Sequence, residues 1–356
     1  MFTPATLAIE KYSGKGLTGL ANLGNTCFMN ATIQCLSHTY EFSHFLDTIE
    51  YKTLLTKKPE SLLIVEWDEL RQLMWKENCI ISPGGFLSNV QRIARIKDKQ
   101  IFTGFAQNDL PEFLMFLIDC FHSSIQREVI IKISGSVKDP KDQLALSCYS
   151  MMKRMYEREY SELLDIFYGI HVSMIADMSG SILQSTPEPF FMLNLPIPTF
   201  AEPKTSPITL LDCFDAYTLP EHLSGDNQWY NEETKEKQDV LKRIQFFTLP
   251  RVLILDLKRF DNRMRKNMAL VDFPIDTLDL SSYVIGYKRE HYVYELYGIC
   301  NHSGNAFGGH YTAFVKNANG KWYLFNDTHV QEVADVSRII TNQAYCLFYR
   351  KKNKSS

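Results

Sequence analysis

Residues 303–327 read SGNAFGGHYTAFVKNANGKWYLFND. Two glycines precede His310, a strand-like run follows, Asn319-Gly320 supplies a hairpin turn signal, and the returning run ends at Asn326-Asp327. With 15 residues between His310 and Asn326, a hairpin with an odd loop sets these two directly across from each other on one face. An even loop chooses Asp327 instead. Either pairing puts a hydrogen-bond acceptor beside an imidazole, which fixes its tautomer and aims the ring at a thiol. Taken alone, the hairpin is equally a surface histidine beside a β-turn.

The complement lies near the other end. Residues 16–37 read GLTGLANLGNTCFMNATIQCLS, in which Phe28, Ala31, Thr32, Cys35 and Leu36 share one helical face and Thr26 or Asn25 can cap the helix. Cys27 then occupies the first turn, where free N–H groups and the helix dipole stabilise a thiolate. A single helical cysteine is more often a small buried hydrophobe. Here Gly19, Asn22, Gly24 and Asn25 precede it, residues that let backbone and an amide side chain approach a reacting carbonyl as an oxyanion hole requires. A cysteine followed about 280 residues later by His and Asn is the chain order of a papain-like site.

Between these ends the pattern changes from helical to extended. To about Tyr168 the chain reads helical, with Phe113, Phe116, Leu117 and Cys120 on one face and Leu144, Cys148, Met151, Met152 and Met155 on another. Strand-like runs occupy Arg251–Phe260, Tyr292–Ile299, Tyr311–Val315, Trp322–Phe325 and Tyr345–Tyr349. Helices first and strands later give an α+β fold. From about Gly180 to Arg243 the sequence is polar and weakly periodic, which predicts a protruding subdomain or a long excursion. KDPKDQ at 138–143 reads as a solvated loop, and residues 1–15 and 352–356 as tails.

Composition narrows the function. The chain has 356 residues, 45% of them hydrophobic, enough for a large core, and its net charge of −3 gives nucleic acid no basic surface. Eight cysteines stand apart with no C-x-x-C pair, the start lacks the pattern of a signal peptide, and no apolar run spans a bilayer. An intracellular, cytoplasmic or nuclear monomer with protein partners, no membrane, no metal and no cofactor is expected.

Five stretches together resemble the ubiquitin-specific proteases. GLTGLANLGNTCFMNATIQCL resembles their Cys box, FTGFAQNDLPEFLMFLID their Gln-Gln-Asp box, EPFFMLNLPIP the strand after the first finger segment, RVLILDLKRF a palm strand, and NHSGNAFGGHYTAFVKNANGKWYLFND the His box. They keep the family's order from about Gly16 to Arg350. The resemblance implies a papain-like domain over 16–351, with a helical thumb (about 16–165), fingers (about 166–250) and a palm sheet (about 251–351). It implies Cys27 as nucleophile, His310 as base, Asn326 as third member with Asp327 as a possible helper, and Asn22 as oxyanion donor. Gln107, Asp109 and Glu112 match positions that hold ubiquitin's basic tail, although an acid there equally suits a helix start. Gly308 and Gly309 would wall the channel for ubiquitin's terminal glycines. His302 falls in the loop before the His box, with no role assigned. At the family's zinc-binding finger positions stand Asp177 with Gly180 and Asn231 with Thr234, so the fingers are expected to hold no zinc. The implied activity is thiol-dependent hydrolysis after ubiquitin's last glycine; the alternatives are an inactive ubiquitin-binding scaffold and a protease for a ubiquitin-like modifier.

Overall fold

The computed structural model describes residues 9–199 and 206–352. Its helices are α1 Cys27–Ser37, α2 Tyr40–Thr48, α3 Ser61–Lys76, α4 Gly84–Ile96, α5 Leu110–Ile125, α6 Pro140–Glu159, α7 Glu162–Phe167 and α8 Leu210–Thr218. All eleven residues of α1 are buried, not only the face that the sequence periodicity singled out. The reason is its place: α1 lies between the helical layer, touching α5, and the strand Gly308–Lys316. Phe28, Phe113 and Phe102 pack edge-on there.

The large sheet runs, in spatial order, His329–Val333, Trp322–Asn326, Gly308–Lys316, Val293–Asn305, Ala344–Lys351, Val252–Lys258 and Met192–Pro196, with Leu278–Asp279 pairing onto Val293–Asn305. The chain is therefore α+β, and all five predicted strands are present. Val252–Lys258 is buried at six of seven positions, as a strand covered on both faces must be. Its neighbours are antiparallel on one side and parallel on the other. A second sheet orders Ile182–Phe190, Gly169–Ala176, Val240–Thr248 and Glu221–Leu223.

Several boundaries differ from expectation. Residues 9–15 are not a tail: Ile9–Tyr12 forms a 3-10 turn, Tyr12 is buried and stacks on Tyr40, and Gly14 N donates to Asn317 Oδ1. A lone aromatic gives too little periodicity to announce this. Residues 1–8 and 353–356, and the expectation of tails there, lie outside the described residues. KDPKDQ is not a loop, because Asp139 caps α6 by accepting from Asp142 N and Pro140 opens the first turn. Met192–Pro196, inside the range expected for fingers, belongs to the large sheet through its parallel pairing with Val252–Lys258. Conversely, α6 lies in the thumb range but packs Ala145 and Cys148 against Ile170, Val172 and Phe247 of the second sheet.

A buried ion pair ties the helices to the sheet. Arg350, near the end of Ala344–Lys351, donates from Nε to Glu41 Oε1 of α2 at 2.7 Å and from Nη2 to His38 O at 2.9 Å. Its guanidinium also lies over Tyr40 and Tyr297. Burial opposes the charge, but Glu41 outweighs it and holds the Arg350 pKa above the ordinary arginine value. Arg350→Met strands Glu41 in the core and should destabilise the protein by about 3–5 kcal/mol. The urea midpoint checks this, an unchanged midpoint counting against it.

Candidate active site

Cys27 opens α1 and is 2% exposed. Thr26 is the N-cap by position, yet its side chain makes no cap bond; its Oγ1 instead accepts from Leu23 N at 2.9 Å. Asn25 sits at φ +55° and donates from Nδ2 to Phe105 O. First-turn N–H groups thus stay directed at the sulfur. Burial pushes the Cys27 thiol above its ordinary value; the N–H of Tyr311 opposes this, the charge of Asp327 adds to it, and the N–H of Phe28 opposes it. The sulfur at the helix mouth therefore lies beside the backbone of the residue after His310.

The hairpin resolves the parity question. Its ladder pairs Ala313 with Phe325 and Lys316 with Trp322 around a five-residue loop, 317–321, with Gly320 at φ +81°. The odd loop puts His310 and Asn326 on one face, though as diagonal neighbours: continuing the ladder sets Asn326 opposite Thr312. His310 Nε2 and Asn326 Oδ1 are 2.6 Å apart. Because Oδ1 can only accept, Nε2 carries the hydrogen and Nδ1 is left as the basic nitrogen.

Asp327 turns the other way. At φ +49° it leaves the strand and faces the loop before Cys27, where Oδ2 accepts from Asn22 Nδ2 at 3.0 Å and Oδ1 from Asn30 Nδ2 at 2.8 Å. Asn22 is fixed from its other end too, its Oδ1 accepting from Gly24 N and Thr26 N at 3.1 Å each. The close approach depends on Gly19, where a Cβ would collide with Thr328 O.

The expected substrate-facing residues divide. Gln107 makes two bonds to the backbone of Gly309, Nε2 donating to its O at 2.7 Å and Oε1 accepting from its N at 2.5 Å, so its amide is engaged in holding the segment before His310. A Cβ at Gly309 would collide with Ser303 O and His302 Nε2. Asp109 is the cap of α5: Oδ1 accepts from Glu112 N at 3.0 Å and Oδ2 from Tyr345 OH at 2.7 Å. The helix-start reading thus describes its geometry. Glu112 is exposed in the first turn. Gln107, Asp109, Phe260, Gly308, Tyr311 and Tyr345 are among the residues lining a cleft of about 250 Å³ beside the strand that carries His310.

His302 is in no loop. It lies in the strand Val293–Asn305, buried, with Nδ1 3.1 Å from Lys266 Nζ; burial, then the lysine charge, pushes its pKa down to about 4. The finger positions do not suit zinc. Asp177 Oδ1 accepts from Ser179 N and Ser181 N, and Asn231 Oδ1 accepts from Glu233 N. Gly180 offers no side chain, so the set is one carboxylate closing its own turn, an amide and a hydroxyl.

Residues 18–349 match the family model described as ubiquitin carboxyl-terminal hydrolase. The chain belongs to this family. Family members similar to it include ubiquitin carboxyl-terminal hydrolase 2 of Gallus gallus, 34% identical over 353 residues that cover 96% of this chain and 95% of the relative. The Bos taurus protein of the same name is 34% identical over 359 residues, 98% of this chain and 57% of the relative. The chain thus spans just over half the length of its mammalian relatives. In fold it is similar to the SAGA Ubp8/Sgf11/Sus1/Sgf73 DUB module bound to ubiquitin aldehyde, with TM-score 0.70 at 24% identity over 99% of this chain and 72% of that one.

Residue patterns missed two members of the site's surroundings, Asn30 and Asp256. The latter was visible as one acid in an otherwise apolar strand, RVLILDLKRF. It is buried, accepts from Asn194 Nδ2 at 2.7 Å through Oδ2, and is pushed up to about 7 by burial and then by Asp109. A carboxyl whose folded pKa lies above its unfolded value of about 3.8 stabilises most below that value and loses its contribution as pH rises through about 7. Asp256→Asn stays neutral throughout, so its gain in melting temperature over the parent should be small near pH 4 and grow to about pH 8. A pH-independent difference contradicts this.

Proposed function

We propose that the chain hydrolyses the bond after the C-terminal glycine of ubiquitin through a thioester on Cys27. The reading is carried by one observation: the Cys27 sulfur lies beside the N–H of Tyr311 while the preceding residue's imidazole is oriented by Asn326 Oδ1 at 2.6 Å. Family membership and the ubiquitin named with the similar DUB module direct that chemistry to ubiquitin.

In the proposed sequence His310 Nδ1 takes the Cys27 proton as sulfur bonds to the glycine carbonyl carbon, and Nε2–H on Asn326 steadies the imidazolium. The oxyanion lies between Asn22 Nδ2, whose second hydrogen is directed away from Asp327, and the N–H groups opening α1. Collapse expels the lysine amine, which takes the proton back from His310. Water then attacks the thioester with His310 again as base and releases the sulfur. Asp109 in the cleft and the exposed Glu112 one turn on supply negative charge to ubiquitin's basic tail, and the backbone of Gly308 forms part of a wall that a side chain would narrow. Free thiols at all eight cysteines suit a reducing, intracellular setting, where the chain acts as a monomer.

Cys27→Ala should abolish release of a fluorophore from ubiquitin's C-terminus while ubiquitin still binds, measured by calorimetry. Turnover in that variant refutes the assignment, and a panel of ubiquitin-like probes separates ubiquitin from related modifiers. The raised thiol pKa makes a second prediction for the free protein. Chloroacetamide alkylation of Cys27 should climb continuously between about pH 6 and pH 9, since the thiol is protonated at neutrality. A plateau reached below about pH 7 would mean a preformed thiolate.

A further inference from the structure

We propose that Asn30 is a positioning residue for this reaction, holding Asp327 so that Asp327 in turn aims the Asn22 amide at the oxyanion. The inference rests on the proteolytic reading above and assigns a task to a residue whose side-chain amide donates to Asp327 and to the loop before Cys27.

Asn30 stands three residues after Cys27 on α1, so the two side chains rise from the same side of one helix a turn apart. It is buried, and its Nδ2 faces three acceptors: Asp327 Oδ1 at 2.8 Å, Leu20 O at 3.3 Å and Ala21 O at 3.3 Å. That surrounding forces the amide orientation, because turning its oxygen inward would set it against two carbonyls and a carboxylate. Asn30 Oδ1 is buried with no hydrogen-bond partner among the described residues. A buried amide with one unsatisfied end is costly to the fold, and its shortest bond is the one to Asp327.

Asp327 needs this support. It has left the β-ladder at φ +49°, and beyond its carbonyl's bond from Leu20 N at 2.9 Å its carboxylate is held by two donors, Asn30 and Asn22. Take Asn30 away and Oδ1 loses its anchor; the carboxylate is then free to rotate, and the Asn22 Nδ2 bond rotates with it. The arrangement also registers nucleophile to oxyanion donor. Cys27 and Asn30 ride on one helix, so a displacement of α1 carries the sulfur and the support of Asn22 together.

A double-mutant cycle tests the relay, using the full chain and a ubiquitin C-terminal fluorogenic amide. Asn30→Ala should lower kcat by about 10–100-fold with KM within about twofold, the signature of an interaction used in the transition state. Asn22→Ala and the Asn30→Ala/Asn22→Ala pair should have the same kcat within about twofold, because Asn30 acts through Asn22. Chloroacetamide alkylation of Cys27, which forms no oxyanion, should be unchanged in Asn30→Ala. Multiplicative losses in the pair, an unaltered kcat in Asn30→Ala, or alkylation falling in step with kcat each overturns the relay. Should the alanine variant not fold, Asn30→Ser, which keeps a shorter donor, enters the same cycle with a smaller expected loss and the same criterion of non-additivity. A parent chain with no ubiquitin turnover overturns the proteolytic reading and the relay with it, whereas turnover with multiplicative losses overturns the relay alone.

Discussion

The packing of one buried helix against one strand governs the rest of the structure. The backbone beside α1 is close: a Cβ at Gly298 would stand 3.1 Å from Cys35 Sγ, tighter than an ordinary van der Waals contact. A helix buried on every side must be almost free of charge, and α1 carries no acid or base while its amides and hydroxyls are turned inward to specific acceptors. That packing brings the sulfur at the helix start to the residue that follows His310. Residues nearly the whole chain apart then meet without a covalent tie.

Around this contact the polar groups fall into two sets with separate tasks. Asn326 serves the imidazole and Asp327 serves the loop before Cys27, although the two are adjacent in sequence. The separation arises from a single backbone change, since a strand residue at 326 and a left-handed residue at 327 project in unrelated directions. Gln107 adds a third constraint by pairing with both backbone groups of Gly309, so the segment entering His310 is held from α5's side. Each constraint runs through a planar side-chain amide, that of Asn326, Asn22 or Gln107, whose hydrogen-bond geometry is narrow.

Much of this was legible beforehand, and the reasons for the rest are physical. The α+β order and all five strands follow from periodicity and turn residues, while the grouping of Cys27, His310 and Asn326 was expected from the family resemblance, and the structure sets His310 against Asn326 and Cys27 beside the N–H of Tyr311. Strand parity decided which of Asn326 and Asp327 faces His310 only once the loop length was known, because moving one residue along a strand reverses its face. Asp139-Pro140 marks a helix start, yet the lysines on either side read as a solvated loop. Tyr12 was lost in a tail because a single buried aromatic has no period. Asn30 carried no sequence signal of its own: its partner is nearly three hundred residues away, in a conformation that sequence pattern does not announce.

The edge strand Met192–Pro196 has a consequence for how this fold can change. It sits at the opposite margin of the large sheet from the hairpin that bears His310, with Val252–Lys258, Ala344–Lys351 and Val293–Asn305 lying between. The second sheet is spliced into the chain on either side of this strand. Distortion there has to cross four strand pairings before it reaches the strand that carries the imidazole. A change at the self-closed turn of Asp177, on the second sheet, is thereby separated from the strand of His310, and that sheet can be remodelled while the large sheet keeps its register.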